Sequence, residues 1–322
     1  MNIVFLDADT IGRDIDLTSF SKLGTVTYYG FSTPEEMRER ITDADILILN
    51  KMRADSYTLE KASHLKLICV TATGTNNLDK DYLARRGIEW RNVAGYSTEC
   101  VTQHTFAMLF YLFEKLPYYD NYVKSGAYID NTTFTHFSNV FHEISGMTWG
   151  IIGLGAIGQR VAQIASLFGC RVIYYSSSGK NNQPAYERVS FDELLSQSDI
   201  ISVHAPLTER TEGLMNREAF KKMKKSAYFL NLGRGPIVVE QDLADALNAD
   251  ELAAAALDVL CSEPMRADNP LLTVKDSRKL LITPHIAWAG IETRSRLINI
   301  IWHQIGEFQN SYRSPSIQPG PV

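Results

Sequence analysis

Short β-branched runs separated by helix-forming stretches recur along almost the whole chain, and this alternation most constrains its fold. A first series of apolar runs lies at 3–6, 26–29, 46–49, 67–70 and 88–91. The stretches between them carry helix-start chemistry. In TPEEMRERI, Thr33 can cap, Pro34 suits the first turn, and acids follow. A second series of six runs starts after Trp149, at 150–153, 171–175, 200–203, 228–232, 255–259 and 280–283. Strands that alternate with helices pair in parallel, because each crossover helix returns the chain to the same end of the sheet. Two such series predict an α/β protein with two doubly wound parallel-sheet domains.

Between the series the pattern changes. VTQHTFAMLFYLFEKL, residues 101–116, is apolar nearly all round and predicts a helix that must be buried, between domains or between subunits. The aromatic, polar segment 117–141 shows no clear period and reads as a loop and arm that packs on a partner. After the sixth run of the second series, residues 291–309 predict a long helix that packs back on the first domain, and the Pro- and Ser-rich tail 310–322 reads as irregular. One domain is therefore expected from 1–99 and 290–322, with a second, 100–289, inserted into it. The buried helix and the arm predict a homodimer formed through the inserted domain.

GIIGLGAIGQRVA, residues 150–162, opens the inserted series with glycines at 153, 155 and 158, after an apolar strand and before a helix. In that setting Gly153 permits a tight turn, Gly155 lets the backbone approach a pyrophosphate, and Gly158 lets helix and strand pack closely. The helix N-terminus adds positive potential for phosphate. This makes the inserted domain a Rossmann dinucleotide-binding domain. Such a loop is usually followed by an acid that grips a ribose, but the next strand ends in Ser176, Ser177 and Ser178, with Lys180 beyond. Neither NAD(H) nor NADP(H) is selected by that pattern.

Three further stretches end later strands: NLGRGPIVVEQDL with Arg234, ALDVLCSEP with Asp258 and Glu263, and ITPHIAWA with His285. In an open parallel sheet, ligands bind outside the carboxyl ends of the strands, so all three are expected beside the glycine loop. Taken singly, a His after a Pro, an EP pair and a Gly-flanked Arg each have a structural explanation; their joint order at successive strand ends points to chemistry.

With those motifs the chain, from about Asp45 to Leu297, resembles the D-isomer-specific 2-hydroxyacid dehydrogenase family. ATGTNNLD (72–79), GYSTECVTQHTFAMLF (95–110), DNPLL (268–272) and PHIAWA (284–289) are most similar to its bacterial glycerate dehydrogenase, or hydroxypyruvate reductase, branch. The resemblance implies a flavodoxin-like substrate domain around the Rossmann insertion. Its chemistry is hydride transfer between NAD(P)H and a small 2-keto acid, hydroxypyruvate or glyoxylate. His285 is the acid/base, since imidazole titrates near neutrality, and Glu263 favours its charged form. Arg234 binds the substrate carboxylate and polarises the carbonyl. Thr73 and Gly74 would cradle the carboxylate through their backbone, while Asn76 replaces an Asp common in the family. The implied cofactor contacts are Gly153, Gly155, Ala156, Ile157, Gly158, Ser176, Ser177, Ala205, Pro206, Leu232, Gly233, Arg234, Asp258, His285 and Ala287. His104 reads as a core or interface histidine, and His204 as secondary.

Other classes fit less well. A net charge of −5 argues against nucleic acid, and the absence of a run of 18 apolar residues argues against a membrane span. The N-terminus runs straight into a strand pattern, so no secretory signal is expected. Four cysteines without a C-x-x-C pair suit reduced thiols in the cytoplasm. No His or Cys spacing suggests a metal. Phenylpyruvate and phosphoglycerate dehydrogenases are alternatives within the family, formate oxidation would call for Gln at 263, and a dinucleotide-sensing corepressor is the alternative outside enzymes.

Overall fold

Strand β1, Asn2–Phe5, pairs in parallel with both β2, Thr25–Tyr28, and β3, Ile46–Leu49; β4, Leu67–Val70, and β5, Glu89–Arg91, follow. The resulting order, β2-β1-β3-β4-β5, is the flavodoxin-like one. β3 and β4 are buried at every residue, as a parallel sheet covered on both faces requires. Helix α1, Pro34–Arg40, starts as the sequence predicts: Thr33 accepts from the Glu36 amide, and the Glu36 carboxylate accepts from the Thr33 amide, a capping box. Helix α2, Lys80–Arg86, is capped by Asp79 and ends at Gly87, whose φ is 64°. The C-terminal helix Ile291–Arg313 packs on this sheet's surroundings. Trp302 donates to the Ser19 carbonyl, Gln304 to Asn92 and Gln309 to Leu23.

These elements belong to the first of two compact units, Met1–Ser97 with Ala289–Val322; the second is Thr98–Trp288. The structure is a computed structural model and describes residues 1–313. The irregular tail expected at 310–322 is helical through Arg313, and the rest of it lies outside the described residues.

The second unit opens with helix α3, Thr98–Phe113. It starts three residues earlier than its sequence pattern implies and also stops earlier, because Lys115 adopts a left-handed conformation, φ 55°, and ends the run. Within one chain, Gln103, Ala107 and Tyr111 of α3, at i, i+4 and i+8, form an exposed line. The next stretch is not simply an arm. Leu116–Lys124 forms helix α4, with Pro117 in its first turn; the aromatics had masked its period.

Seven parallel strands follow, not six. They are β6, Thr148–Ile152; β7, Arg171–Tyr175; β8, Glu187–Arg188; β9, Ile200–Val203; β10, Tyr228–Asn231; β11, Ala254–Leu257; and β12, Leu280–Ile282. β8 escaped detection because it is two exposed polar residues long. The order β12-β11-β10-β9-β6-β7-β8 reverses direction between β6 and β9, which is the topological switch point where such sheets bind ligands. Helices α5, Ala156–Leu167; α6, Phe191–Gln197; α7, Arg217–Lys222; and α8, Glu240–Asn248, complete the crossovers. No helix among the described residues is long and apolar enough to cross a membrane.

Trp149 anchors one face of this sheet. It is fully buried, packs its ring 5.0 Å from Phe106 of α3, and donates from Nε1 to Ser202 Oγ at 2.9 Å. Trp149→Ala is expected to destabilise the second unit by about 3–5 kcal/mol, the range for emptying a buried aromatic site. A urea titration followed by circular dichroism checks this, and an unchanged midpoint would contradict it.

Candidate active site

The loops that leave β6, β9 and β10 meet backbone to backbone, and glycines make that possible. Gly153 turns with φ 92°, and a Cβ there would stand 2.8 Å from both N and Cα of Ala205. A Cβ on Gly233 would stand 2.8 Å from the Ala205 carbonyl oxygen. A Cβ on Gly158 would press on the Gly153 carbonyl. Gly155 differs: nothing lies within 4 Å of where its Cβ would be. It is exposed, as is Ala156, and caps the N-terminus of the twelve-residue helix α5, where backbone N–H groups lack intrahelical partners. The three glycines therefore provide a turn, an open approach and a close packing contact. This cradle fits a dinucleotide pyrophosphate.

Beyond β7, Ser176 is buried and its hydroxyl accepts from the Asn181 amide at 3.3 Å. Asn181 in turn donates from Nδ2 to the Leu154 carbonyl, tying this loop to the glycine turn. Ser177 is half-buried, while Ser178 and Lys180 are exposed. Asn181 carried no signal in the sequence, because its contact spans two loops. His204, just after β9, has Nε2 3.1 Å from Ser202 Oγ, and its Nδ1 is buried without a partner. Burial pushes its pKa down to about 3, so His204 is neutral at neutral pH and supplies no proton.

Glu263 and His285 come together: His285 Nδ1 lies 2.7 Å from Glu263 Oε2, with both side chains about three-tenths exposed or less. The other Glu263 oxygen accepts from the Leu260 amide at 3.1 Å. His285 has φ 55°, a conformation that costs a non-glycine residue about 1–3 kcal/mol. Asp258 holds it there. This carboxylate, 2% exposed, accepts from the Thr283 hydroxyl at 2.6 Å, the Ile286 amide at 2.9 Å and the Ala287 amide at 3.0 Å. The Asp258 carbonyl accepts from the His285 amide at 2.8 Å. His104 of α3 completes the group, with Nε2 3.1 Å from Thr283 Oγ1 and 3.6 Å from Asp258 Oδ1. The sequence reads His104 as a core or interface histidine, and its facing Asp258 and Thr283 has no sequence signal.

Arg234 stands in the turn after β10. Asn231 fixes that turn by accepting from the Gly233 amide and donating to the Arg234 carbonyl. The Arg234 guanidinium donates from Nη1 to the Gly233 carbonyl at 2.8 Å. Gly235 lies against the Leu260–Cys261 peptide so closely that a Cβ would collide with it, which brings the Arg234 turn alongside the strand end that leads to Glu263. Leu232 and Ala287 are buried beneath these turns, and Pro206 is exposed. Thr73 and Gly74 belong to the first unit, in the loop after β4; Thr73 Oγ1 donates to the Val93 carbonyl, and its own carbonyl accepts from Asn92. Among the described residues, no group of three or more His, Cys, Asp or Glu could hold a metal ion.

The family model for the NAD binding domain of D-isomer specific 2-hydroxyacid dehydrogenases matches residues 106–287. The chain is 39% identical over 317 residues to a hydroxypyruvate reductase of Blautia hydrogenotrophica, covering 96% of this chain and 97% of that one. A D-lactate dehydrogenase of Aquifex aeolicus, in complex with NAD and lactic acid, is similar in structure with a TM-score of 0.85 at 25% identity, over 96% of each chain. The acyclic imino acid reductase Bsp5, in complex with NADPH and D-Arg, gives a TM-score of 0.84 at 28% identity over 98% of this chain and 97% of that one.

Gly158→Ala must push the Gly153 turn away from α5. It is expected to weaken NADH binding by about tenfold or more, equivalent to about 1.4 kcal/mol, in a fluorescence titration. Unchanged affinity would contradict the cradle as described.

Proposed function

The chain belongs to the D-isomer specific 2-hydroxyacid dehydrogenase family and is an NAD(P)-dependent oxidoreductase, and we propose that it reduces hydroxypyruvate or glyoxylate with His285 as the proton donor. The observation that carries this reading is the 2.7 Å contact between His285 Nδ1 and Glu263. A carboxylate at Nδ1 stabilises the imidazolium and fixes the ring's orientation, leaving Nε2–H to protonate a carbonyl oxygen. The bound reduced nicotinamide supplies the hydride. Arg234 binds the substrate carboxylate through the face of its guanidinium not engaged with Gly233, and its charge polarises the adjacent carbonyl. Asp258, whose Oδ2 accepts from the Ala287 amide, would lie near the nicotinamide carboxamide of a bound cofactor. The choice of hydroxypyruvate is supported by likeness to a hydroxypyruvate reductase across nearly the whole chain.

Cofactor choice follows the chemistry beyond β7. No carboxylate there opposes a 2′-phosphate, and the Ser176 hydroxyl is already committed to Asn181. Use of NADPH as well as NADH is part of the proposal. A homodimer is also part of it, on the ground that Ile129, Phe134 and Phe137 are 84%, 92% and 81% exposed in one arm of the second unit. Four free cysteines support a reducing, cytoplasmic setting.

His285→Ala is expected to lower kcat for hydroxypyruvate by about 10²–10⁴-fold with either cofactor, the usual contribution of a positioned acid. Turnover equal to that of the parent would overturn the role. Sedimentation at micromolar concentration is expected to show a species of twice the chain mass, and a single monomeric species would contradict the dimer.

A further inference from the structure

The Leu260–Cys261 peptide is a junction between the two turns that carry Arg234 and Glu263. Its plane packs against Gly235, next to Arg234. The Leu260 amide donates to Glu263 Oε1. The Cys261 amide donates at 2.8 Å to Glu240 Oε1, the first residue of α8. Glu240 is 9% exposed, and its second oxygen accepts from Asn269 Nδ2 at 2.9 Å. Asn269, 6% exposed, has its amide oriented by a second bond, because its Oδ1 accepts from the Leu271 amide at 2.9 Å. Both Glu240 oxygens are thus bound by neutral donors. The 260–261 peptide cannot move without breaking a hydrogen bond to a buried carboxylate, and such bonds are among the stronger ones.

We infer that Glu240, oriented by Asn269, is a positioning residue that sets the spacing between Arg234 and the Glu263–His285 pair. The chain runs directly from the Arg234 turn through Val238 and Val239 into Glu240, then returns as the 260–263 segment that Glu240 grips. One carboxylate therefore registers the substrate-binding guanidinium against the proton-donating pair. A loosened junction displaces Glu263 from His285 Nδ1 and frees the imidazole ring to turn. Glu240 and Asn269 bind the Cys261 amide, each other and the Leu271 amide, away from the glycine turn, so dinucleotide binding stays as it was. The inference rests on the proposed roles of Arg234, Glu263 and His285.

Polarity reversal tests it. Glu240→Gln turns an amide NH₂ toward the Asn269 NH₂, and Asn269→Asp sets carboxylate against carboxylate. Together, Gln at 240 donates to Asp at 269, and the Leu271 amide keeps its acceptor. E240Q is expected to bind NADH within about threefold of the parent while losing about tenfold or more in kcat/KM for hydroxypyruvate, since small misplacements of reacting groups cost up to about 10²-fold. E240Q/N269D is expected to return to within about threefold of the parent in kcat/KM, including where E240Q alone does not fold. An E240Q enzyme with parental kcat/KM overturns the inference, as does a double variant that fails to regain kcat/KM, folded or not. His285→Ala assayed alongside separates the two levels: full turnover there removes the underlying reading, whereas loss there with an unaltered E240Q removes only the role of Glu240.

Discussion

A single buried carboxylate, Asp258, holds the backbone of His285 in a conformation it would not otherwise keep. The left-handed turn costs about 1–3 kcal/mol, while each hydrogen bond to a charged acceptor contributes about 1.5–3 kcal/mol. Three such donors, the Thr283 hydroxyl and the amides of Ile286 and Ala287, outweigh the strain. The imidazole direction is thereby set by the main chain, and Glu263 needs only to meet Nδ1 where the turn delivers it. Without the clamp, the pair would depend on a partly exposed contact, which water and side-chain entropy weaken.

The platform around this clamp is stiff because its loops touch through their main chains. Gly153, Ala205 and Gly233 leave no room for side chains where β6, β9 and β10 end, and Gly235 repeats the device against the Leu260–Cys261 peptide. Side chains that hop between rotamers are absent from those contacts, so positional error is small where reacting groups need tolerances of about 0.5 Å. Gly155 is the exception, open where a ligand must approach.

Much of this was legible in the amino-acid sequence, because local chemistry and global fold agree. The Thr33 capping box, the completely apolar run at Ile46–Leu49, and the three glycines after β6 each carry a local signal. β8 was not legible, since Glu187–Arg188 has neither apolar character nor length. The stop at Lys115 was hidden because a lysine in a left-handed turn looks like any helical lysine. The partnerships of Asp258 with His104, and of Glu240 with Asn269, join residues 154 and 29 positions apart. Such pairings exist only after the sheet has brought strand ends together. The carriers of Arg234, Glu263 and His285 could be recognised as motifs, but what supports them had to be seen in three dimensions.

The most direct measurement is the distance from His285 Nε2 to the oxygen that accepts its proton, in a crystal of the enzyme with oxidised cofactor and an unreactive 2-keto acid analogue. A separation of about 2.6–3.2 Å, with Glu263 still on Nδ1, is expected of a positioned acid. A ring turned away from the analogue, with a different side chain donating to that oxygen, would contradict the central role given to His285.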